Sequence, residues 1–259
     1  MDILLIGCGK MGGAMLRRWI DAMPARFTTV NRSGRALPAG TEHVDGVDTL
    51  AGRRFDVIIL AVKPQQIPDV LPAYASLLAE DGCHVSIAAG FSSASIAAIV
   101  GDRPVLRLMP NLPALIGRSV NGIYANSACS DRHRDIGDQL ARATGTPVWL
   151  DSEDELDRLT AVAGSGPGYV FEIARSYIAA AEGLGFSNET ARALVLETMG
   201  GAIEMAARSD EDVAELRNSV MSKKGTTEAG INALRRDGQL DALLTETVQA
   251  AYERAVELR

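Results

Sequence analysis

The sequence predicts an α/β half built on a doubly wound parallel sheet over residues 1–150, followed by an all-α half over 151–259. Three observations carry this. Short apolar runs alternate with helical patterns up to Leu150, as strands joined by crossover helices do. Residues 57–62 are apolar throughout, as in a strand buried on both faces. From Asp151 onward no run reads as a strand, and apolar residues recur at helical spacing.

The first strand is the apolar run Ile3, Leu4, Leu5, Ile6. Gly7, Gly9 and Gly12 follow at G-x-G-x-x-G spacing. An amphipathic helix with Met15, Leu16, Trp19 and Ile20 comes next. Strand, glycine loop and helix together make a dinucleotide fingerprint of the Rossmann type. Gly7 serves the tight turn, Gly9 leaves room for the pyrophosphate, and Gly12 lets helix and strand pack closely. The helix start offers N–H groups to the phosphates. The cofactor loop is therefore Gly7, Cys8, Gly9, Lys10, Met11 and Gly12, with Cys8 read as a small filler.

The second strand, residues 27–30, ends in Asn31, Arg32 and Ser33, with Arg35 just beyond. NAD-binding chains usually carry a carboxylate about 20 residues past the loop, where it holds the ribose 2′-OH. None stands at this strand tip. Guanidinium and hydroxyl groups suit a 2′-phosphate, so the expected cofactor is NADPH, with NADH possible. Further strands are expected at 57–62, 84–89, 105–109, 122–125 and 147–150, with a polar helix at about 131–143. Ligands of such sheets sit at the carboxyl ends of the strands. Those ends carry Ala61, Val62, Lys63 and Pro64, then residues 88–90 with Ala89, then Met109 to Asn111. All of these stand where a bound ligand is expected, and the family resemblance set out below makes that ligand the cofactor.

The helical half carries patterns at 153–163, 167–183, 188–207, 211–221, 227–236 and 240–258. Its many small and apolar faces suit a compact bundle or a subunit interface. The loop Ser222, Lys223, Lys224, Gly225, Thr226, Thr227 separates two helices. Hydroxyls, a glycine and helix-start N–H groups meet there, a cradle for a small anion such as a carboxylate. The same residues suit a capped turn, and local physics alone favours the cap. The chain's lysines (Lys10, Lys63, Lys223, Lys224) all fall in these loops.

Composition narrows the partners. The formal charge is −7 and hydrophobic residues make up 47%, which speaks for a real core and against nucleic acid or an anionic membrane. No apolar run reaches the roughly 20 residues of a membrane span. The fold begins at once, so no leader peptide is expected. Three widely spaced cysteines, Cys8, Cys83 and Cys129, fit a reducing cytoplasm without disulfides. His43, His84 and His133 lack metal-ligand spacing and are expected to be surface or satisfied residues. No metal is expected.

The motifs Gly7 to Gly12, Ala61-Val62-Lys63-Pro64-Gln65, Arg107-Leu108-Met109-Pro110-Asn111, Gly164-Ser165-Gly166-Pro167 and Gly225-Thr226-Thr227 occur in the order found in Δ1-pyrroline-5-carboxylate reductases. The chain resembles that family over nearly its whole length. The resemblance implies NAD(P)H-dependent reduction of the cyclic imine 1-pyrroline-5-carboxylate to L-proline. It further implies that the Rossmann half binds the cofactor, and that the helical half dimerises and binds substrate. Helical domains interlock in the family's dimer, and dimers often form larger rings, commonly decamers, so a homodimer or higher homo-oligomer is expected. By the same resemblance Thr227 is the hydroxyl beside the imine nitrogen. Ser222 and the N–H groups of Gly225, Thr226 and Thr227 would hold the substrate carboxylate. Where the family loop reads Ser-Pro-Gly-Gly-Thr-Thr, this chain has Lys223 and Lys224 at the Pro-Gly positions. Leu112 replaces the threonine of the family's Asn-Thr-Pro, and Gly168 stands where alanine is usual. Two alternatives remain: a related imine or ketone reductase with altered substrate, and a non-catalytic NADPH-binding regulator. A β-hydroxyacid dehydrogenase, with the same domain plan, would carry a catalytic lysine on a helix of the second half, and none is there.

Overall fold

The protein is described by a computed structural model covering residues 1–31 and 37–259. Arg32, Ser33 and Arg35 lie outside the described residues. Strands β1 (Asp2–Ile6), β2 (Arg26–Val30), β3 (Thr41–Val44), β4 (Phe55–Leu60), β5 (Leu78–Ser86), β6 (Val105–Met109), β7 (Ser119–Ala125) and β8 (Gly145–Trp149) form one sheet. Its order is β3-β2-β1-β4-β5-β6-β7-β8. Helices α1 (Lys10–Ala22), α2 (Ile67–Tyr74), α3 (Ser93–Val100) and α4 (Asp131–Arg142) connect the strands. The helical half contains α5 (Glu153–Leu159), α6 (Gly166–Gly183), α7 (Asn188–Arg208), α8 (Val213–Ser219), α9 (Thr226–Leu234) and α10 (Gln239–Glu257).

Alternation along the central strands divides the core. Ile3, Leu5, Val57 and Ile59 face one side with Met15, Leu16 and Trp19 of α1 and Ile136 and Leu140 of α4. Leu4, Ile6, Ile58 and Leu60 face the other side with Ile67 and Leu71 of α2 and Ile96 of α3. A strand buried on both faces must be apolar at every position, which is why residues 57–60 read so clearly. Trp19 is fully buried, stacks on Phe27 at 6.5 Å and donates its indole N–H to the Leu140 carbonyl at 2.9 Å. That bond ties α1 to α4. Ser92, Ser152 and Ser187 cap α3, α5 and α7 by accepting N–H bonds from Ser95, Glu155 and Thr190, which satisfies otherwise orphan donors.

Three expectations need correction. The sheet is not wholly parallel, because β7 runs antiparallel to β6 while β8 is parallel to β7. β3 is an additional edge strand paired with β2. Its sequence is polar and only Val44 is buried, so it shows no apolar run. β5 starts at Leu78 and ends at Ser86, so residues 87–89 belong to the following loop. His84 is also not the satisfied histidine expected. It is fully buried, with neither ring nitrogen partnered among the described residues. Burial, with Arg103 nearby, pushes its pKa down to about 4, so it sits in the core as the neutral form. Burial likewise pushes the Cys83 thiol up to about 12, leaving it inert as a nucleophile.

The chain divides into two compact units. One is Met1–Ser165 with Ala250–Arg259, the other Gly166–Gln249. The first unit runs past the sheet because α5 packs on it: a Cβ on Gly122 of β7 would lie 2.8 Å from side-chain carbons of both Leu156 and Leu159. In the second unit, Ala181 of α6 meets Ala191 and Val195 of α7 in a small buried cluster.

Candidate functional site

In the first unit the sheet order reverses between β1 and β4, the switch point where doubly wound sheets bind ligands. The glycine loop sits there. Gly7 has φ +90°, and a Cβ on it would come within 2.8 Å of the Ala61 carbonyl. Its N–H bonds the Val30 carbonyl at 2.9 Å, and the Ala61 N–H bonds the Ile6 carbonyl at 2.8 Å. The ends of β1, β2 and β4 are thus knotted around one glycine. A Cβ on Gly12 would touch Ala61 at 3.0 Å and the Gly7 carbonyl at 3.1 Å, so Gly12 serves close packing. A Cβ on Gly9 would meet nothing within 4 Å. Gly9 faces open space, where a ligand can approach the backbone.

A groove of about 420 Å³ opens beside this loop, lined by Gly7, Cys8, Gly9, Asn31, Ala61, Val62 and Lys63 among others. It also takes in Gln66, Val70 and Tyr74 of the segment after β4. Sequence reasoning missed those three, although Val70 and Tyr74 sit at helical spacing on α2. Gly9 caps α1 without any side-chain bond, so the first-turn N–H groups of Lys10, Met11 and Gly12 are available to an anion. Lys10 also borders a second, smaller hollow of about 150 Å³ with Cys8, Gly9, Gly13 and Arg17. The loop and groove fit a dinucleotide: a glycine without steric cover, a helix start with uncapped donors, and a lysine on either side. Just past the end of β3, Asp45 follows Val44, whose register partner is Val30. A carboxylate therefore does stand one strand over, where no strand was expected.

Of the other expected cofactor residues, Pro64 begins the short helical turn after β4. Ala89 lies half-buried in the loop after β5, and Met109 ends β6. Asn111 lies two residues beyond the end of β6. Its side chain is bonded inside the protein, with Nδ2 donating to the Ala163 carbonyl at 2.9 Å and Oδ1 accepting from the Val120 N–H at 3.1 Å. Its backbone N–H donates to the Ser119 hydroxyl at 3.0 Å. One Nδ2 hydrogen and one Oδ1 lone pair remain beyond these two bonds, on a side chain that is buried. Through Ala163, Asn111 fastens a π-helical stretch, Thr160–Gly164, to the sheet. There the Ser165 N–H reaches back five residues to the Thr160 carbonyl at 2.9 Å. Such wide turns are frequent at functional sites.

In the second unit, the loop before α9 brings Ser222 against Gly225. A Cβ on Gly225 would overlap the Ser222 hydroxyl, so only glycine lets that hydroxyl stand at the helix start. The Gly225 N–H corrects an expectation, because it is donated to the Ser222 carbonyl at 2.8 Å and is not open to an anion. Gly225 caps α9 with no side-chain bond to the first-turn donors. The N–H groups of Thr226 and Thr227 lie in that uncapped turn. Lys224 has φ +63°, a left-handed backbone uncommon for a side chain of its kind. Its N–H donates to Glu228 Oε2 at 2.5 Å, which helps hold the turn.

A nucleotide groove at the switch point of a doubly wound sheet, in a chain whose remainder is helical, defines a dinucleotide-binding oxidoreductase fold. Residues 2–90 match the family described as NADP oxidoreductase coenzyme F420-dependent, and residues 153–258 match pyrroline-5-carboxylate reductase dimerisation. The chain belongs to the pyrroline-5-carboxylate reductase family: it is 40% identical to the Pseudomonas aeruginosa pyrroline-5-carboxylate reductase over 99% of this chain and 96% of that protein. Among solved structures, it is similar to a pyrroline-5-carboxylate reductase from Coxiella burnetii, with TM-score 0.90, 32% identity and 99% and 97% of the two chains covered. It is also similar to a pyrroline carboxylate reductase from Plasmodium falciparum solved with NADP bound, with TM-score 0.88, 25% identity and 100% and 98% covered. No described helix is long and apolar enough to cross a membrane.

Proposed function

We propose that this chain reduces 1-pyrroline-5-carboxylate to L-proline with NADPH, the last step of proline biosynthesis, in the cytoplasm and as a homodimer or larger homo-oligomer. The observation that carries the reading is full-length kinship at 40% identity with a protein of that name, joined to two uncapped helix starts of the right kind. Residues 1–150 then serve as the dinucleotide-binding domain and 151–259 as the substrate and dimerisation domain.

The bound nicotinamide supplies the hydride. The chain's own work is positional and electrostatic. The first-turn N–H groups of α1 hold the pyrophosphate, and Arg32 and Ser33 take the 2′-phosphate. The N–H groups of Thr226 and Thr227, with the Ser222 hydroxyl, hold the substrate carboxylate at the positive end of α9. That fixes the ring so that its C=N carbon can face the cofactor, and alignment of this kind supplies several kcal/mol of a barrier. The Thr227 hydroxyl bonds the imine nitrogen as it gains hydrogen. A protonated imine is already electrophilic, so no strong protein acid is required.

The test is oxidation of NADPH and of NADH by the purified protein with 1-pyrroline-5-carboxylate. Robust turnover with a lower KM for NADPH is expected, and Arg32→Ala should raise the NADPH KM while sparing that for NADH. Absence of imine turnover despite tight NADPH binding would overturn the reading. A second reading, a reductase for a more acidic imine, draws on Lys223 and Lys224 beside the α9 start. It would show as faster turnover of a dicarboxylic cyclic imine than of 1-pyrroline-5-carboxylate.

A further inference from the structure

The loop after β5 is held in two places by groups that the proposed chemistry does not use. From the sheet side comes Arg107, buried on β6. Its Nη2 donates to the Ala88 carbonyl at 3.4 Å, and its Nη1 pairs with Glu153 Oε2 at 3.2 Å. The other oxygen of Glu153 accepts the Ser93 N–H at 2.6 Å, so one carboxylate joins the start of α3 to Arg107. A second hold comes from Leu258, just past the end of α10. Gly90 has φ +69°, and a Cβ on it would lie 2.5 Å from the Leu258 carbonyl and 2.8 Å from Leu258 Cβ. Backbone therefore lies directly on backbone at Gly90. Leu258 is fixed in turn by its neighbour. The Arg259 guanidinium bonds the buried Asp157 carboxylate and reaches Asp154 at 3.1 Å, while the Tyr252 hydroxyl donates to the same Asp154 oxygen at 2.7 Å. Burial pushes the Asp157 carboxyl up, and Arg259 is the first group opposing that rise.

We infer that Arg259 is a positioning residue for hydride transfer: by anchoring Leu258 on Gly90 it sets the height of the loop 88–90 at the carboxyl end of β5. This rests on the proposed reductase reading, in which that loop lines the cofactor. The loop follows the strand between β4 and β6, at the ligand side of the sheet, and residues 88–90 within it are Ala, Ala and Gly, between Ile87 and Phe91. With side chains this small, residues 88–90 meet a neighbouring ligand mainly through the position of their backbone. Arg259 touches no expected ligand and acts only through Leu258 and Gly90. Other carboxylates could tether a helix end, but the acceptor here is a buried aspartate on α5, which fixes the contact in one place.

The experiment compares wild type, Arg259→Ala, Arg259→Lys and Gly90→Ala. It measures NADPH Kd by fluorescence, steady-state kcat and both KM values with 1-pyrroline-5-carboxylate, and Tm, all at a temperature far below the lowest Tm. Arg259→Ala should lower kcat/KM for NADPH at least fivefold and weaken NADPH binding, with the imine KM within twofold of wild type. Arg259→Lys should recover part of that loss, and Gly90→Ala should reproduce or exceed it. A fall in Tm with kcat/KM for NADPH within twofold of wild type would overturn the inference, leaving Arg259 as a mere tether. If wild type itself turns over no imine, the reductase reading fails on its own. NADPH Kd then decides the positioning role, with a fivefold weakening in Arg259→Ala expected and an unchanged Kd overturning it.

Discussion

The two compact units bury apolar residues in opposite ways. Around the sheet, Trp19, Phe55, Met15 and the aliphatic residues of β1 and β4 are fully buried. In the unit Gly166–Gln249, the buried apolar residues are Ala174, Ala181, Ala191 and Val195, all small. Its large ones face outward in the single chain: Phe171 is 60% exposed, Ile203 70% and Leu184 83%. The sheet unit completes its own core, and the helical unit does not. Apolar surface on that scale marks an interaction face, and the dimerisation match over residues 153–258 names the kind of partner, a second copy.

The sharpest way to break this comparison is to charge the exposed face. Phe171→Asp combined with Ile203→Asp should abolish assembly, since each large apolar group covered contributes about 1.5–3 kcal/mol and a buried unpaired charge costs more. Light scattering should show monomer where wild type shows dimer or larger. A double variant with wild-type mass and Tm would mean these faces are simply solvated. The converse change lies in the sheet unit. Trp19→Ala should cost about 3–5 kcal/mol in denaturant unfolding and leave the oligomer's mass unchanged.

Acid should act on the sheet unit through His84. Its folded pKa of about 4 lies below an unfolded value of about 6.5, so the unfolded chain binds more protons between those pH values. The neutral-histidine contribution is fully present above pH 6.5 and is lost as pH falls toward 4, by roughly 3 kcal/mol in all. The difference in unfolding free energy between pH 7 and pH 4.5 should be smaller in His84→Leu than in wild type. Equal slopes would show that another group carries the acid limb.

Two smaller effects probe the α9 loop in the helical unit. Thr227→Ala should lower kcat/KM ten- to a hundredfold, or about 1.4–2.8 kcal/mol, with NADPH affinity nearly unchanged. Reduced stability with normal turnover would make Thr227 a structural residue only. Lys224→Gly should raise stability by about 0.5–1 kcal/mol. It removes a left-handed side-chain conformation costing about 1–2 kcal/mol and loses part of that gain to glycine's greater unfolded freedom. A Tm below that of wild type would show that the Lys224 side chain makes a compensating contact.

The switch-point glycines were legible because each has one steric job at fixed spacing, and β4 was legible because burial on both faces forbids polar residues. Other features had no local signal. The reversed direction of β7 depends on which neighbour it pairs with, and β3 is an edge strand with one buried residue. Asn111 sits just past a strand end, where ligands are expected, and its amide also bonds Ala163 and Val120, which lie 52 and 9 residues away in sequence. Gly225 was rightly placed at a helix start, but the direction of its N–H was fixed by a turn that composition does not encode. The Arg107–Glu153 pair joins residues 46 apart, a distance over which charge complementarity cannot be read from one sequence.

The outward-facing side chains of α6 and α7 also bear on how the protein behaves when dilute. A helical unit completed only by a second copy draws part of its free energy from association, so its melting temperature rises with protomer concentration. Above the dissociation constant of that association, every tenfold dilution then removes about 1.4 kcal/mol of that support. A chain newly released from synthesis carries Phe171, Ile203 and Leu184 uncovered until it meets another. The time it spends in that state is set by encounter frequency and not by its own folding speed.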